Sequence, residues 1–332
     1  MIKVLVIGMG QLGQCVRDAY VKYLANNESP AYTVDFATAN PKSADVIKLD
    51  ITNKEEFENI CNAGKYSYIL NCAAYTNVAL AESYDETEQN KCNKINHECL
   101  RYVADWCECN SCNLIHISTD FVFGGNDGLY RENSSSYTPL NYYGRSKLKG
   151  EEMIAQNMGV NAKYMIIRTS SVYSQYGSNF VLTMLKKFMA NEDVEVLIDN
   201  VSSPTNANDF AHCLVNHVLH GFASGERKIQ NGAYHFSNEG CISWFDFANE
   251  ILDQYIANGA STTSRVIATD SEEMHRKSEK AGKRPVVRPF SSMLAKDKFK
   301  KEGYNIPYWK PSLKEYFISQ LHREDYGLST LN

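Results

Sequence analysis

The sequence predicts an α/β protein with a doubly wound, parallel Rossmann sheet and a second, smaller substrate domain built from C-terminal excursions. Three observations predict this fold. Short β-branched runs alternate with stretches of helical periodicity. A glycine-rich turn separates the first run from the first helical stretch. Later runs end in small or hydroxylated residues, which leave room for a ligand at the carboxyl ends of parallel strands.

The bulk composition excludes several functional classes. The chain has 332 residues, enough for one large or two ordinary domains. Its net charge of -5 argues against nucleic acid as a partner, and its apolar runs are too short to cross a membrane. Ten cysteines in a large chain that starts without a signal-type segment predict reduced thiols and a cytoplasmic location.

The first predicted unit is a strand, a glycine loop and a helix. Residues 2–7 are an apolar run, and helical periodicity covers residues 14–24. Between them lies G-x-G-x-x-G, whose glycines let the backbone approach a pyrophosphate at the helix N-terminus. This context predicts a dinucleotide coenzyme, held by Gly8, Gly10, Gln11, Leu12 and Gly13.

The second predicted strand bears on the choice of coenzyme. Residues 32–37 are followed by Thr38, Ala39 and Asn40. A carboxylate at this point would hold the ribose hydroxyl of NAD, and an arginine would accept the 2′-phosphate of NADP. Neither is present, although Lys42 lies close. Both NADPH and NADH stay open, and NADPH is favoured because nothing repels its phosphate.

The next three strands are predicted to end at the same edge of the sheet. They cover residues 46–52, 67–74 and 114–120, with a helix over residues 82–108 between the last two. The first two of them add coenzyme contacts, namely Asp50, Ile51, Cys72, Ala73 and Ala74. Cys107, Cys109 and Cys112 precede the third, and only His116 could complete a metal site. Since His116 falls inside an apolar strand, we predict buried thiols and no metal.

The second half of the chain keeps the alternation and then loosens. Helices are predicted over residues 146–158, 179–190, 208–220 and 243–255, with strands at 163–168, 194–198 and 232–237. No linker marks a clean boundary. We therefore predict an NAD(P)-binding domain from residues 1–169 and 206–237, and a substrate domain from residues 170–205 and 238–332.

A tyrosine and a lysine four residues apart supply candidate chemistry. Tyr143 and Lys147 would share one face of a helix. A free phenol has a pKa of about 10, and a nearby cation lowers it toward the range of general acid–base catalysis. Tyr142 is five residues from Lys147, off that face, and is predicted to pack or to line the rim.

These residues resemble the extended short-chain dehydrogenase/reductase family and, within it, the dTDP-4-dehydrorhamnose reductases. The resemblance covers nearly the whole chain. It rests on the order and spacing of motifs at residues 10–13, 71–76, 117–123, 143–151, 168–170, 177–180, 203–205, 243–248 and 288–294.

The resemblance implies hydride transfer from NAD(P)H to the C4 carbonyl of a nucleotide-activated 4-keto-6-deoxyhexose. Tyr143 would donate the proton, and Lys147 would hold the nicotinamide ribose and lower the pKa of Tyr143. Thr119 would hydrogen-bond the carbonyl oxygen, and Asp120 would face the sugar. The implied substrate contacts are Asp120, Thr119, Ser171, Asn179 and Arg288. A homodimer is a further expectation from the family.

The sequence departs from the family pattern at three places. The loop at Gly8 is one residue shorter, and the segment before Glu82 lacks an aspartate. Ser171 stands where the family has a tryptophan that packs against the substrate, which leaves the identity of the sugar open.

Two other functions share these features. A nucleotide-sugar epimerase or dehydratase would keep the coenzyme domain and the Tyr/Lys pair, but dehydratases usually follow the catalytic threonine with Asp-Glu, and here Phe121 follows Asp120. A non-catalytic regulatory subunit would keep only the fold. The complete set of Thr119, Tyr143 and Lys147 argues against that reading.

Overall fold

Fifteen strands are present in the computed structural model, which describes residues 2–83, 85–125, 128–282 and 284–328. In chain order they are β1 (Ile2–Ile7), β2 (Tyr32–Thr38), β3 (Val46–Lys48), β4 (Tyr68–Asn71), β5 (Asn113–Thr119), β6 (Leu129–Tyr130), β7 (Tyr164–Thr169), β8 (Val172–Tyr173), β9 (Val194–Leu197), β10 (Val201–Ser202), β11 (Thr205–Asn206), β12 (Gly232–His235), β13 (Ile242–Ser243), β14 (Val266–Thr269) and β15 (Met293–Leu294).

Seven of these strands form one parallel sheet in the order β12-β7-β5-β4-β1-β2-β3. The chain winds outward from β1 through β2 to β3 and then returns to β4 on the other side of β1. The predicted doubly wound sheet is thereby confirmed. Its reversal point lies between β1 and β4, where open sheets of this kind bind ligands at the carboxyl ends of their strands.

The helices cover both faces of the sheet and continue beyond it. In chain order the α-helices are α1 (Gln11–Ala25), α2 (Lys54–Gly64), α3 (Val78–Ala81), α4 (Glu86–Asn93), α5 (Cys99–Cys109), α6 (Tyr142–Asn157), α7 (Phe180–Met189), α8 (Ala207–His212), α9 (His220–Ser224), α10 (Trp244–Ala257), α11 (Ser271–Lys280), α12 (Asp297–Lys301) and α13 (Trp309–Glu315). Wider π-turns lie at Lys94–Glu98, Cys213–Leu219 and Tyr316–Gln320, and 3-10 turns at Asp120–Val122 and Arg323–Tyr326. Within the described ranges, every helix is too short or too polar to span a bilayer.

Three helix predictions were wrong in their bounds. The helix expected over residues 14–24 is α1, at Gln11–Ala25, and the helix expected over residues 82–108 begins at Glu86 and runs through α4, a π-turn and α5 to Cys109. The helix expected from Ser146 begins at Tyr142, because the side chain of Asn141 caps it by accepting a hydrogen bond from the backbone N–H of Gly144 at 2.8 Å. The catalytic candidates Tyr143 and Lys147 therefore both lie on α6.

Three large hydrophobic clusters stabilise the molecule. One cluster lies on each face of the sheet, and both include side chains of β1. The third gathers α7, α10 and α13, with Leu185, Phe247 and Leu313 fully or almost fully buried. This third cluster draws on the segments predicted to form the substrate domain, whose boundaries stay a prediction.

The cysteine cluster before β5 is a packing feature. Cys107 and Cys112 are buried, and Cys109 is exposed at the end of α5. In the described part of the chain, no three His, Cys, Asp or Glu side chains gather as a metal site.

Candidate active site

The candidate site forms where the start of α6 meets the end of β5. Glu82 fixes the start of α6: its carboxylate accepts a hydrogen bond from the backbone N–H of Tyr142 at 2.6 Å. The same buried carboxylate lies 3.3 Å from Arg284 and 3.9 Å from Arg145. A carboxylate at a helix N-terminus also complements the helix dipole. Sequence reasoning gave Glu82 no role, and no local pattern would have revealed it.

The structure brings Tyr143, Lys147 and Thr119 together. Tyr143 and Lys147 lie on one face of α6, and the hydroxyl of Thr119 at the end of β5 is near enough to the phenol of Tyr143 to affect its pKa. The amine of Lys147 donates to the carbonyl of Ile117 at 2.7 Å. A phenol, a hydroxyl and an amine thus converge on the carboxyl end of β5.

The pKa of Tyr143 moves in the direction opposite to the one expected from Lys147. Burial raises the pKa of the phenol well above its usual value, and the neighbouring hydroxyl of Thr119 offsets this only in part. The negative charge of Asp120 raises it further. The amine of Lys147 is directed at β5 and so gives the phenol little help. Tyr143 therefore keeps its proton at neutral pH.

Burial acts on Lys147 in the opposite sense. Its side chain is 1% exposed. Burial lowers the pKa of the amine to about 8, although the carboxylate of Glu151, one turn further along α6, favours the charged form. Lys147 therefore titrates within the range in which many enzymes work.

Asp120 is turned into the protein rather than toward an open pocket. It is 2% exposed, and it accepts hydrogen bonds from Ser170 at 2.7 Å and Thr119 at 3.1 Å. Burial raises its pKa to about 6, while hydrogen bonds from Ser292, Ser170 and Thr119 favour the charged form. In this geometry Asp120 orients Thr119, and the sugar contact that the family resemblance implied stays a prediction.

Most of the predicted coenzyme contacts line one cavity at the reversal point of the sheet. The cavity has a volume of about 260 Å³ and brings together residues from four strand ends, including Gly8, Gly10, Asp50, Ile51, Cys72, Ala73 and Ala74. The first turn of α1 opens beside it, and its N-cap residue Gly10 provides no side-chain cap. Apart from Gly10 itself and its neighbours along the chain, no atom of the described residues lies within 4 Å of where a Cβ of Gly10 would stand. The residues present fit a pyrophosphate at the helix N-terminus.

Two of the glycines are required by the folded backbone itself. Gly8 has a φ of 98°, and a Cβ there would lie 2.5 Å from the backbone nitrogen of Ala73. A Cβ on Gly13 would lie 1.9 Å from the carbonyl oxygen of Gly8. Neither position can hold a side chain without moving the loop.

The side chains of two predicted coenzyme residues and one predicted substrate residue make contacts within the protein. The side chain of Leu12 packs in the core. Gln11 accepts a hydrogen bond from the amide of Asn179 at 2.9 Å. Asn179 also caps α7 by accepting from the backbone N–H of Leu182 at 3.0 Å. Asn179 therefore joins the start of α7 to the first turn of α1, and its substrate contact stays a prediction.

A polar cavity of about 210 Å³ lies near the end of β2. One of its walls is an arginine side chain, Arg17, to which the sequence analysis gave no role. Arg17 of α1 lines it together with Thr38, Lys42 and Ser43. Arg17 is paired with the exposed Asp45 at 2.5 Å. Its position, one turn after Gly13, is the only sequence signal that could have revealed it.

Ser171 lines an apolar cavity of about 180 Å³. The backbone of Ser171 has a φ of 46°, and its hydroxyl lies 2.8 Å from that of Ser202. Phe180, Trp244 and Phe247 supply the aromatic walls.

Arg288 lies next to this apolar cavity and near the catalytic candidates. A small neighbouring pocket is lined by Phe121, Ser171, Trp244 and Arg288. The guanidinium lies 5.7 Å from the ring of Trp244, and the ring of Phe121 packs edge-on against Tyr143 at 5.9 Å. Among the described residues no carboxylate pairs with Arg288, and burial lowers its pKa.

Comparison with known proteins places this arrangement in a family. Residues 2–321 match the family model described as the RmlD substrate binding domain. A dTDP-4-dehydrorhamnose reductase of Aggregatibacter actinomycetemcomitans is 33% identical over 258 residues, which cover 77% of this chain and 80% of the relative. The spore coat polysaccharide biosynthesis protein SpsK of Bacillus subtilis is 32% identical over 75% of this chain and 77% of its own length.

Solved structures agree with this assignment. The dTDP-4-dehydrorhamnose reductase of Bacillus anthracis, solved in complex with NADP, has a TM-score of 0.75 and 29% identity, and the alignment covers 96% of this chain and 100% of that one. A dTDP-glucose 4,6-dehydratase of the same organism, solved with NAD, has a TM-score of 0.70 over 96% of each chain. Its identity is only 14%, so it supports the fold alone.

Proposed function

The chain belongs to the RmlD substrate binding domain family, and from that premise we propose that it is an NAD(P)H-dependent reductase of a nucleotide-activated 4-keto-6-deoxyhexose. The proposed reaction converts dTDP-4-dehydrorhamnose to dTDP-L-rhamnose. The observation that carries the proposal is a protonated phenol, Tyr143, placed beside Thr119 and on the same helix face as Lys147.

The protonation state of Tyr143 suits it to donate the proton that reduction of a ketone requires. When bound, NAD(P)H supplies the hydride. Reduction of a ketone then requires one proton at the carbonyl oxygen, and burial of Tyr143 keeps that proton available at neutral pH. Thr119 donates to Asp120, which fixes the orientation of its hydroxyl beside the phenol. Because the single hydroxyl proton of Thr119 goes to Asp120, Tyr143 is the donor that would position the carbonyl oxygen in this arrangement.

Arg288 and the apolar cavity support a nucleotide-linked substrate. A partly buried guanidinium without a carboxylate partner among the described residues is suited to a diphosphate. The aromatic walls of the cavity beside Ser171 are suited to a planar base or another apolar group. The position of Ser171 in the wall of both cavities thus supports a substrate contact.

The choice between the two coenzymes turns on Arg17. The cavity at the end of β2 offers a guanidinium, an amine and two hydroxyls at the place where the 2′-phosphate of NADPH would lie. This set supports NADPH as the preferred coenzyme. The sequence also favoured NADPH, because nothing near the end of the second strand repels its phosphate, but Arg17 had no part in that prediction.

Replacing Arg17 by alanine should therefore change the coenzyme preference. We expect kcat/KM for NADPH to fall about 10- to 100-fold, because a charge-assisted contact contributes about 1.5–3 kcal/mol, while NADH is used nearly as before. The matched control is Asp45→Asn, which releases Arg17 from its exposed ion pair and should improve the use of NADPH. Equal losses with both coenzymes in Arg17→Ala would exclude this phosphate site.

The proposed function is tested by following NADPH and NADH oxidation against a panel of nucleotide-linked 4-keto-6-deoxyhexoses. We expect oxidation of one NADPH per dTDP-4-dehydrorhamnose and a product that co-migrates with dTDP-L-rhamnose. Turnover with another sugar of the panel would retain the reductase and correct the substrate. Conversion of a nucleotide sugar without net NADPH oxidation would identify an epimerase or dehydratase instead.

The expected cellular location follows from the same chemistry. We propose the cytoplasm, because nucleotide sugars and NADPH are cytoplasmic metabolites and all ten cysteines are free thiols.

A further inference from the structure

A buried chain of polar side chains connects the coenzyme cavity to Lys147. Asn71 and His116 are direct neighbours on β4 and β5, so their side chains lie on the same face of the sheet. One ring nitrogen of His116 lies 3.1 Å from the amide nitrogen of Asn71, and the other lies 3.1 Å from the amine of Lys147. His116 is 1% exposed and Asn71 fully buried.

The orientation of Asn71 is fixed by the backbone. The N–H of Ala73, a residue of the coenzyme cavity, donates to the side-chain oxygen of Asn71 at 3.0 Å. The amide –NH₂ of Asn71 must therefore face Nδ1 of His116 and donate to it. A neutral imidazole that accepts at Nδ1 carries its single proton on Nε2. Burial and the neighbouring Lys147 lower the pKa of His116 well below its usual value, so the imidazolium form is excluded.

This tautomer conflicts with a charged lysine. Nε2–H of His116 points at the nitrogen of Lys147, and an ammonium has donors only. An uncharged amine resolves the conflict, because its lone pair accepts from Nε2–H while one of its own N–H groups donates to the carbonyl of Ile117. If Lys147 were an ammonium, the proton of His116 would have to move from Nε2 to Nδ1. Nδ1–H and the –NH₂ group of Asn71 would then be two donors facing each other.

We propose that Asn71 and His116 are positioning residues that favour the uncharged amine of Lys147 in the coenzyme-free enzyme, so that coenzyme binding is coupled to uptake of a proton by Lys147. The inference rests on the proposed function in one respect, namely that NAD(P)H occupies the cavity beside Ala73. The negative phosphates of the coenzyme then favour the ammonium. The coenzyme would also lie against the loop that contains Ala73, whose N–H group sets the orientation of the Asn71 side chain.

The other groups facing Lys147 do not account for the effect. They are the carboxylate of Glu151 on α6 and the thiols of Cys72 after β4, Cys92 on α4 and Cys99 on α5. Each favours the ammonium when it is ionised, and Glu151 is already paired with Arg168. The lowered pKa of Lys147 therefore comes from burial, and the donor from His116 acts in the same direction.

Calorimetric titration of the whole enzyme with NADPH, in buffers of different ionisation enthalpy, tests the coupling. We expect proton uptake to rise toward one proton per site as the pH increases through about 8, near the pKa of Lys147. Binding without proton uptake between about pH 7 and pH 9.5 would overturn the inference and leave the proposed function intact. Absence of NADPH binding would instead overturn the proposed function.

Histidine-selective ¹⁵N NMR on the unmodified, coenzyme-free enzyme provides a test that needs no variant. Among the eight histidines, His116 should show a protonated Nε2 and an unprotonated Nδ1 at alkaline pH. A protonated Nδ1 there, or an imidazolium form above about pH 6, would refute the tautomer on which the proposal depends.

Asn71→Asp reverses the predicted tautomer with almost no change of shape. The carboxylate can accept from both Ala73 and Nδ1–H, so Nε2 becomes an acceptor for the ammonium. We expect loss of the NADPH-linked proton uptake and an alkaline limb of kcat/KM raised by about one pH unit or more. Adding His116→Leu should remove most of that rise. An undiminished rise in the double variant would mean that the charge of the aspartate acts without His116 and would refute the relay.

Discussion

Tyr143→Phe should lower kcat by about 10²- to 10⁴-fold while NADPH binding stays close to that of the unmodified enzyme. The variant removes the only proton of the phenol and leaves its ring, which packs edge-on against Phe121, in place. Thr119 would still be oriented by Asp120. The loss should therefore fall on the chemical step, measured as single-turnover NADPH oxidation, with coenzyme affinity measured separately by fluorescence.

The neighbouring tyrosine is the matched control for this experiment. Tyr142 begins α6 and is held through its backbone N–H by Glu82, and its ring lies 5.9 Å from the guanidinium of Arg145. Tyr142→Phe should retain near-normal turnover. Retained turnover in Tyr143→Phe would remove Tyr143 as the proton donor.

Lys147→Met should reduce both the rate and the affinity for the coenzyme. A loss of rate alone would contradict the proposed contact of Lys147 with the ribose.

Glu151→Gln should lower the free energy of unfolding by about 3–5 kcal/mol, the usual cost of removing one partner of a buried ion pair. Arg168 and Glu151 are 2% and 5% exposed, and their closest approach is 2.6 Å. The carboxylate also accepts from Ser118. Without it the guanidinium of Arg168 stays buried and charged. Urea unfolding followed by circular dichroism would measure the loss as a lower midpoint.

An exposed ion pair with similar geometry is the control for stability. Arg265 and Asp193 approach to 2.6 Å at the protein surface. Solvent screens such a pair, so Asp193→Asn should shift the urea midpoint far less than Glu151→Gln. Similar shifts in the two variants would show that burial of the Arg168–Glu151 pair does not determine its contribution.

Local patterns determined much of the fold and the chemistry. The run before Gly8 and the periodicity after Gly13 are properties of neighbouring residues, and they predicted β1, the glycine loop and α1. The spacing of Tyr143 and Lys147 likewise requires only a helix, and both lie on α6. A family comparison then supported the reaction class for the whole chain.

The environment of each catalytic group was decided by tertiary structure. The sequence predicted a lowered pKa for Tyr143, whereas burial raises it. The sequence likewise did not reveal the hydrogen bonds that Ser170 and Thr119 donate to the buried carboxylate of Asp120. Solvation and hydrogen bonding depend on atoms from several elements at once, and spacing along one helix does not reveal them.

By itself the sequence determined the doubly wound sheet, the coenzyme loop and the pairing of a tyrosine with a lysine. Only the tertiary structure decided where the proton of each group resides, because that depends on which strands become neighbours. The register of β4 and β5 places Asn71 beside His116, and the packing of α6 on β5 brings Lys147 to the same imidazole. Residues 71, 116 and 147 are distant in sequence, so no local pattern could have connected them.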